Sequence, residues 1–206
     1  MRLFPCILPL VLVSAQPVAT QLRAQQVDRH WRFGPEAGIT GGGTWMEGRS
    51  APTVTSGSAP FIGFGASRRV VQYVTAGVVV RYHSMKLSLA ENDDKWSGGS
   101  VNEGMFLGAL AYDRMRAGST RIAFDVLAGV SARSGGGRIV PFFESSNTAT
   151  MEAGISAHKP VAGSTDHRIL FVFARYSLTR AGASTPDTEA VDGTVKRVVA
   201  GVGFTL

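Results

Sequence analysis

His83 and Ser84 form the first pair in this chain that could do nucleophilic chemistry. On a strand, adjacent side chains point to opposite faces, so this imidazole cannot activate that hydroxyl. His158 and Glu152 share a face in the same alternation, but they stand about 20 Å apart along a strand. Glu91-Asn92-Asp93-Asp94 has the acid density of a calcium loop. It lacks the glycine at the sixth position and the acid at the twelfth, so an EF-hand is rejected. Gly41-Gly42-Gly43 and Gly135-Gly136-Gly137 follow strand-like segments, with no helix pattern and no Lys-Ser/Thr after them. They read as loop glycines and not as phosphate cradles. His30 and His167 have no partners at ligand spacing. The sequence therefore predicts no catalytic residue, no cofactor and no metal site.

What remains is electrostatic. Glu36, Asp125 and Glu152, with Arg32, Arg81, Arg121, Arg175 and Arg197, each lie on the face opposite an uncharged apolar row of an alternating segment. Eight such segments are legible: 31–40, 59–66, 73–87, 101–112, 120–133, 148–158, 168–179 and 194–206. In 120–133, Ile122, Phe124, Val126, Ala128, Val130 and Ala132 oppose Arg121, Asp125, Gly129, Ser131 and Arg133. In 194–206, Val198, Ala200, Val202, Phe204 and Leu206 oppose Arg197, Gly201, Gly203 and Thr205. A period of two is the strand signature. Pro35 removes one ladder bond and predicts a local irregularity. Segment 101–112 is apolar on both faces; the glycine pattern puts Met105, Leu107, Ala109 and Ala111 outward.

The connections alternate in length. Stretches 41–58, 88–100, 134–147 and 180–193 read as long loops, while short turns begin at Ser67-Arg68-Arg69 and span 113–119 and 159–167. With antiparallel neighbours, all long loops lie at one end and both chain ends at the other. An apolar last strand is an aggregation hazard unless its edge is paired. Closing 194–206 on 31–40 removes the edge, and lipid outside removes the wet apolar face.

Composition agrees. Among 206 residues there are 25 glycines, 44% of residues are hydrophobic and only 17% are charged, which suits many strands with tight turns and not a disordered chain. Residues 1–24 read as a cleaved secretory signal: Arg2, an apolar run to Val13, and small residues at Ala15, Ala19 and Ala24. The run is too short to span a bilayer. Residues 25–206 are then one domain, and Cys6 leaves with the signal, which excludes disulfides and thiolate metal sites. Losing Arg2 and Arg23 takes the formal charge from +6 to +4. The basic residues are scattered, with no aromatic platform, so no nucleic-acid partner is expected. At the short-turn end they include Arg68, Arg69, Arg114, Arg116, Lys159 and Arg168.

On these residues the chain resembles the small eight-stranded outer-membrane proteins of Gram-negative bacteria, the OmpA transmembrane-domain, OmpX and opacity-protein group. The resemblance covers nearly all of 25–206. Gly201, Phe204 and Leu206 match that group's terminal assembly signal, with Leu206 where an aromatic is usual and Val199 where a polar residue is common. The resemblance implies an all-β, eight-stranded antiparallel up-and-down transmembrane β-barrel with long external loops and short periplasmic turns. It implies a monomer in outer-membrane lipids, delivered by the barrel-assembly machinery.

A membrane barrel turns its apolar faces out, whereas a lipocalin-like barrel turns them in. The apolar faces run five or six positions without a charge on six segments, which favours the membrane form. Glu36, Arg81, Asp125, Glu152, Arg175 and Arg197 then point into a narrow lumen, where isolated charges are costly and should pair. A structural ion-pair network that plugs the barrel is expected. The function expected is a non-enzymatic envelope protein whose loops face outward. The alternatives are a narrow channel or binder for small molecules, apolar ones included, and a soluble periplasmic lipocalin-like ligand-binding barrel.

Overall fold

The computed structural model describes residues 30–46, 53–91, 94–136, 147–161, 168–180, 183–185, 188–191 and 194–206. Twelve strands are present among them: β1 (Trp31–Thr40), β2 (Gly43–Met46), β3 (Thr53–Ser56), β4 (Ala59–Val71), β5 (Val74–Glu91), β6 (Asp94–Ala117), β7 (Thr120–Gly136), β8 (Asn147–Pro160), β9 (Ile169–Arg180), β10 (Ala183–Thr185), β11 (Thr188–Val191) and β12 (Thr194–Thr205). Eight of them form a closed antiparallel ring, β1-β4-β5-β6-β7-β8-β9-β12 and back to β1. Closure satisfies every edge, the condition for a sheet that carries apolar residues outside.

The last strand meets the first in register, Gly38 opposite Gly201 and Glu36 opposite Gly203. Beyond that ladder, Leu206 N–H donates to Phe33 C=O at 2.9 Å and Phe33 N–H donates back at 3.2 Å. The close approach depends on glycine. A Cβ at Gly201 would stand 2.5 Å from the Ala37 carbonyl oxygen and 2.8 Å from the Phe173 ring.

The strands are longer than their hydrophobic patterns suggest. Segment 88–100, expected to be a long loop, is mostly sheet: β5 and β6 stay paired out to Glu91 opposite Asp94. Backbone pairing continues there because it does not need apolar side chains once the inward face is covered. The expected loop 41–58 likewise contains the β2–β3 hairpin, whose β3 extends the β4 side of β5. Loop 180–193 contains the small β10–β11 hairpin. Arg68 and Arg69, expected in a turn, are still in β4, and the expected turn 113–119 shrinks to Gly118-Ser119 between paired Ala117 and Thr120. Gly118 has φ +61°, a left-handed conformation that glycine adopts without a Cβ penalty. Pro35 lies inside an unbroken β1, opposite Phe64 and exposed. Residues 1–24, and the centre of loop 134–147, lie outside the described residues.

The outer wall is apolar. Ile62, Phe64, Val80, Tyr82, Phe106, Phe124, Met151, Tyr176, Val198 and Val202 are all large and exposed. On β5 the outward row changes from Val78, Val80 and Tyr82 to Ser84, Lys86 and Ser88 while the strand itself continues. The apolar belt therefore ends part-way up the sheet. Strand β6 corrects one expectation: Met105 and Leu107 face inward, 4% and 0% exposed, and Phe106, Leu110 and Tyr112 face out. Both faces of this strand are apolar, so composition could not fix its parity; packing of Met105 and Leu107 on Leu127 and Val79 does.

The charged lumen as candidate functional site

The inward faces stack into layers between the short-turn rim and the long-loop end. Nearest the rim, Asp113 is ion-paired with Arg69, and Arg121 Nη1 lies 4.0 Å from it. Above it, Arg175 clasps Asp125 Oδ2 through Nη2 at 2.9 Å and Nε at 3.1 Å. Ser156 Oγ donates to the other carboxylate oxygen at 2.9 Å and meets His158 Nε2 at 2.7 Å.

The next layer is a triad. Arg81 donates through Nε to Glu36 and through Nη1 to Glu152 Oε2 at 2.6 Å. The three residues come from β5, β1 and β8, so the guanidinium bridges distant walls. All three are buried. Burying a charge alone costs several kcal/mol, so an arginine between two carboxylates is how such a lumen can be filled at all.

A fourth layer centres on Glu103. Its Oε1 accepts from Arg133 Nε at 2.8 Å, and its Oε2 accepts from Arg197 Nη1 at 2.8 Å and lies 2.9 Å from His83 Nε2. Arg197 Nη2 also donates to Thr179 Oγ1 at 3.1 Å. Above Glu103 an apolar cluster of Trp45, Val54, Met85, Leu87, Leu89, Val101 and Val195 closes the loop end.

The three layers above the rim are completed by aromatic faces. Arg133 and Arg197 lie 4.5 and 5.5 Å from the Trp45 ring centroid. Arg81 lies over Phe61 and Phe173, and Arg175 over Phe173 at 4.2 Å. Such contacts contribute about 2 kcal/mol when desolvated. Phe61, Phe171 and Phe173 find room because Gly38, Gly201 and Gly203 have no side chains. Between the rim and the Arg81 triad a chamber of about 130 Å³ remains, lined by Val79, Leu127 and Phe171 and by the charged side chains of Arg32, Asp125 and Arg175.

Of the residues singled out by sequence, Glu36, Arg81 and Glu152 are brought together, and so are Asp125 and Arg175. Arg197 meets none of those carboxylates; its partner is Glu103. Sequence reasoning missed Glu103 because it shares parity with Met105, and assigning that row outward sent Glu103 with it. The usable signal was the carboxylate itself, charged within an apolar run. His83 is buried and Ser84 exposed, on opposite faces. Gly201 is half-buried against Gly38, Phe204 is half-buried and Leu206 is exposed at the rim. Among the described residues no group of His, Cys, Asp and Glu could hold a metal ion. The acidic side chains of Glu91, Asp93, Asp187, Glu189 and Asp192 lie outside the described set.

No protein-family model matches the chain, and no curated protein matches it in sequence. Among solved structures it is similar to the outer membrane protein OprG from Pseudomonas aeruginosa, at 10% identity and a TM-score of 0.52. The match covers 88% of this chain and 98% of that one. At that identity the likeness concerns the fold, and the fold it shares is the all-β, antiparallel, up-and-down barrel of eight hydrogen-bonded strands.

Proposed function

We propose that this chain is a non-enzymatic integral outer-membrane barrel, exported by the signal at 1–24, with its lumen plugged by paired charges and its long loops facing outward. One observation carries the reading: the barrel is inside-out relative to a soluble protein. Isoleucine, phenylalanine and valine side chains are half or more exposed on the wall, whereas Arg81, Glu103, Glu152 and Arg197 are at most 2% exposed within. Water cannot be the solvent of that wall, because apolar area of this extent drives association. Lipid can. The likeness in fold to OprG, an outer membrane protein, supports the same location.

The role we assign is envelope structure or surface interaction through the loop end. Trp31 and Phe33 near one belt margin, and Tyr82 and Tyr176 near the other, suit the two membrane interfaces. Gly201, Phe204 and Leu206 serve as the terminal assembly signal. The test is electrophoretic. Purified from a detergent-solubilised membrane fraction, the unheated chain should migrate differently from the boiled chain on a denaturing gel. A mature chain that stays monomeric in detergent-free buffer would refute the proposal.

The chamber above the short-turn rim favours a second reading, a binder of small molecules. Planar-bilayer recording and ligand titration separate the two: the plugged barrel gives no steady conductance.

A further inference from the structure

We infer that the outer wall at the short-turn rim carries a binding groove for one anionic glycerophospholipid of the leaflet facing that end. The inference rests on the membrane reading above and adds a specific site to it.

The groove follows from register. Trp31 stands opposite Arg68, Arg68 opposite Ala76, and Ala76 opposite Leu110. One row further from the rim, Phe33, Ala66, Val78 and Gly108 are neighbours in the same order. Both rows point outward. Each has an aromatic side chain at its β1 end; across β4 and β5 the first row carries Arg68 and Ala76 and the second Ala66 and Val78. One wall is the stacked pair Trp31 and Phe33, with centroids 6.2 Å apart and planes at 26°. The opposite wall is Leu110 with Tyr112, both exposed. Between them lies a trough floored by Ala66, Ala76, Val78 and Gly108, and the concavity at Trp31, Arg68, Val70 and Ala76 is a pocket of the wall. Phe64 in the following row closes it toward the belt centre.

Charge selects the occupant. Arg68 is the basic group in the trough, at its rim end. Its neighbour Arg69 is committed inward to Asp113 and to the Gln72 carbonyl. Arg114, Arg116, Lys159 and Arg168 are exposed on the same rim. Among the described residues Asp113 is the one acidic side chain there, and it faces the lumen. A phosphodiester on Arg68, with its glycerol and upper acyl carbons on Ala76 and Val78, satisfies charge and shape together. A headgroup that also carries an ammonium meets the same cationic rim and gains less.

Native mass spectrometry of the folded full chain in detergent, with phosphatidylglycerol and phosphatidylcholine of equal chain length, tests this. Wild type should retain one phosphatidylglycerol in preference to phosphatidylcholine by about fivefold, the weight of one basic residue at an anionic surface. Arg68→Gln should bring the two lipids to parity, and Arg68→Lys should keep most of the preference. Ala76→Phe should fill the trough and lose both lipids. Equal retention by wild type, or an unchanged preference in Arg68→Gln, overturns the groove. Each protein is first checked for the heat-shifted band. A wild type without that band overturns the membrane reading, and a shifted band without lipid preference overturns the groove alone.

Discussion

Arg197 on β12 and Glu103 on β6 form a hydrogen-bonded ion pair at 2.8 Å across the full width of the barrel. Their strands are four places apart in a ring of eight, the largest separation the ring permits. The carboxylate is buried on a strand formed mid-chain, and one of its charge partners arrives on the last strand. Until β12 is in place, Glu103 has only Arg133 and His83.

Glu103→Gln should therefore be the most damaging single charge removal in the lumen. It leaves Arg133 and Arg197 facing each other without a carboxylate, and breaking a buried pair in this way costs about 3–5 kcal/mol. Urea titration of the barrel in lipid vesicles would show it. If the midpoint moves no more than it does for an exposed Lys86→Gln control, the layer is not a stabilising one.

Glu36→Ala should cost less, because Glu152 remains on Arg81. A loss of about 1.5–3 kcal/mol is expected, that of one hydrogen bond to a charged group. Removing Glu36 and Glu152 together should exceed the sum of the single losses, since the second removal strands the arginine. Strict additivity in a double-mutant cycle would speak against a shared guanidinium.

The barrel was readable from sequence where one face is plainly apolar. Segments such as 120–133 and 194–206 alternate without ambiguity, and the structure faces them as expected. It was unreadable where both faces are apolar. On β6 a single parity decision moved Met105, Leu107 and Glu103 together, because a strand has no intermediate facing. The long hairpins were missed for a different reason. Ser88, Lys95 and Ser97 look like loop residues, yet they are the solvated face of a sheet whose other face is buried by Leu87, Leu89 and Trp45. The pairs Arg81–Glu152 and Arg175–Asp125 join strands far apart in sequence. Alternation gives the face of each residue but not the partner across the lumen.

Trp45→Ala should destabilise by about 3–5 kcal/mol, as for other buried tryptophans. It should not open a pore, because Glu103, Arg133 and Arg197 lie beneath the ring. Single-channel recording in planar bilayers tells these apart: a steady open current in the variant would show that the indole, and not the charged layer, is the barrier.

The terminal residues permit a test that separates packing from targeting. Gly201→Ala should lose about 1–3 kcal/mol through overpacking against the Ala37 carbonyl and the Phe173 ring, and Phe173→Leu should recover the part that the ring contributes. Leu206→Phe places an aromatic where assembly signals usually carry one and should preserve or raise the folded yield in the membrane fraction. A clear fall in that yield would remove Leu206 from the proposed signal.

The hairpin of β5 and β6 rises past the belt margin at Tyr82 and stays paired to its tip. Anything that docks on this hairpin meets paired backbone. A flexible loop must surrender backbone freedom on binding, at about 1–2 kcal/mol for each residue fixed. Along this hairpin that cost is met when the chain folds, so even a modest contact area there can be converted into affinity.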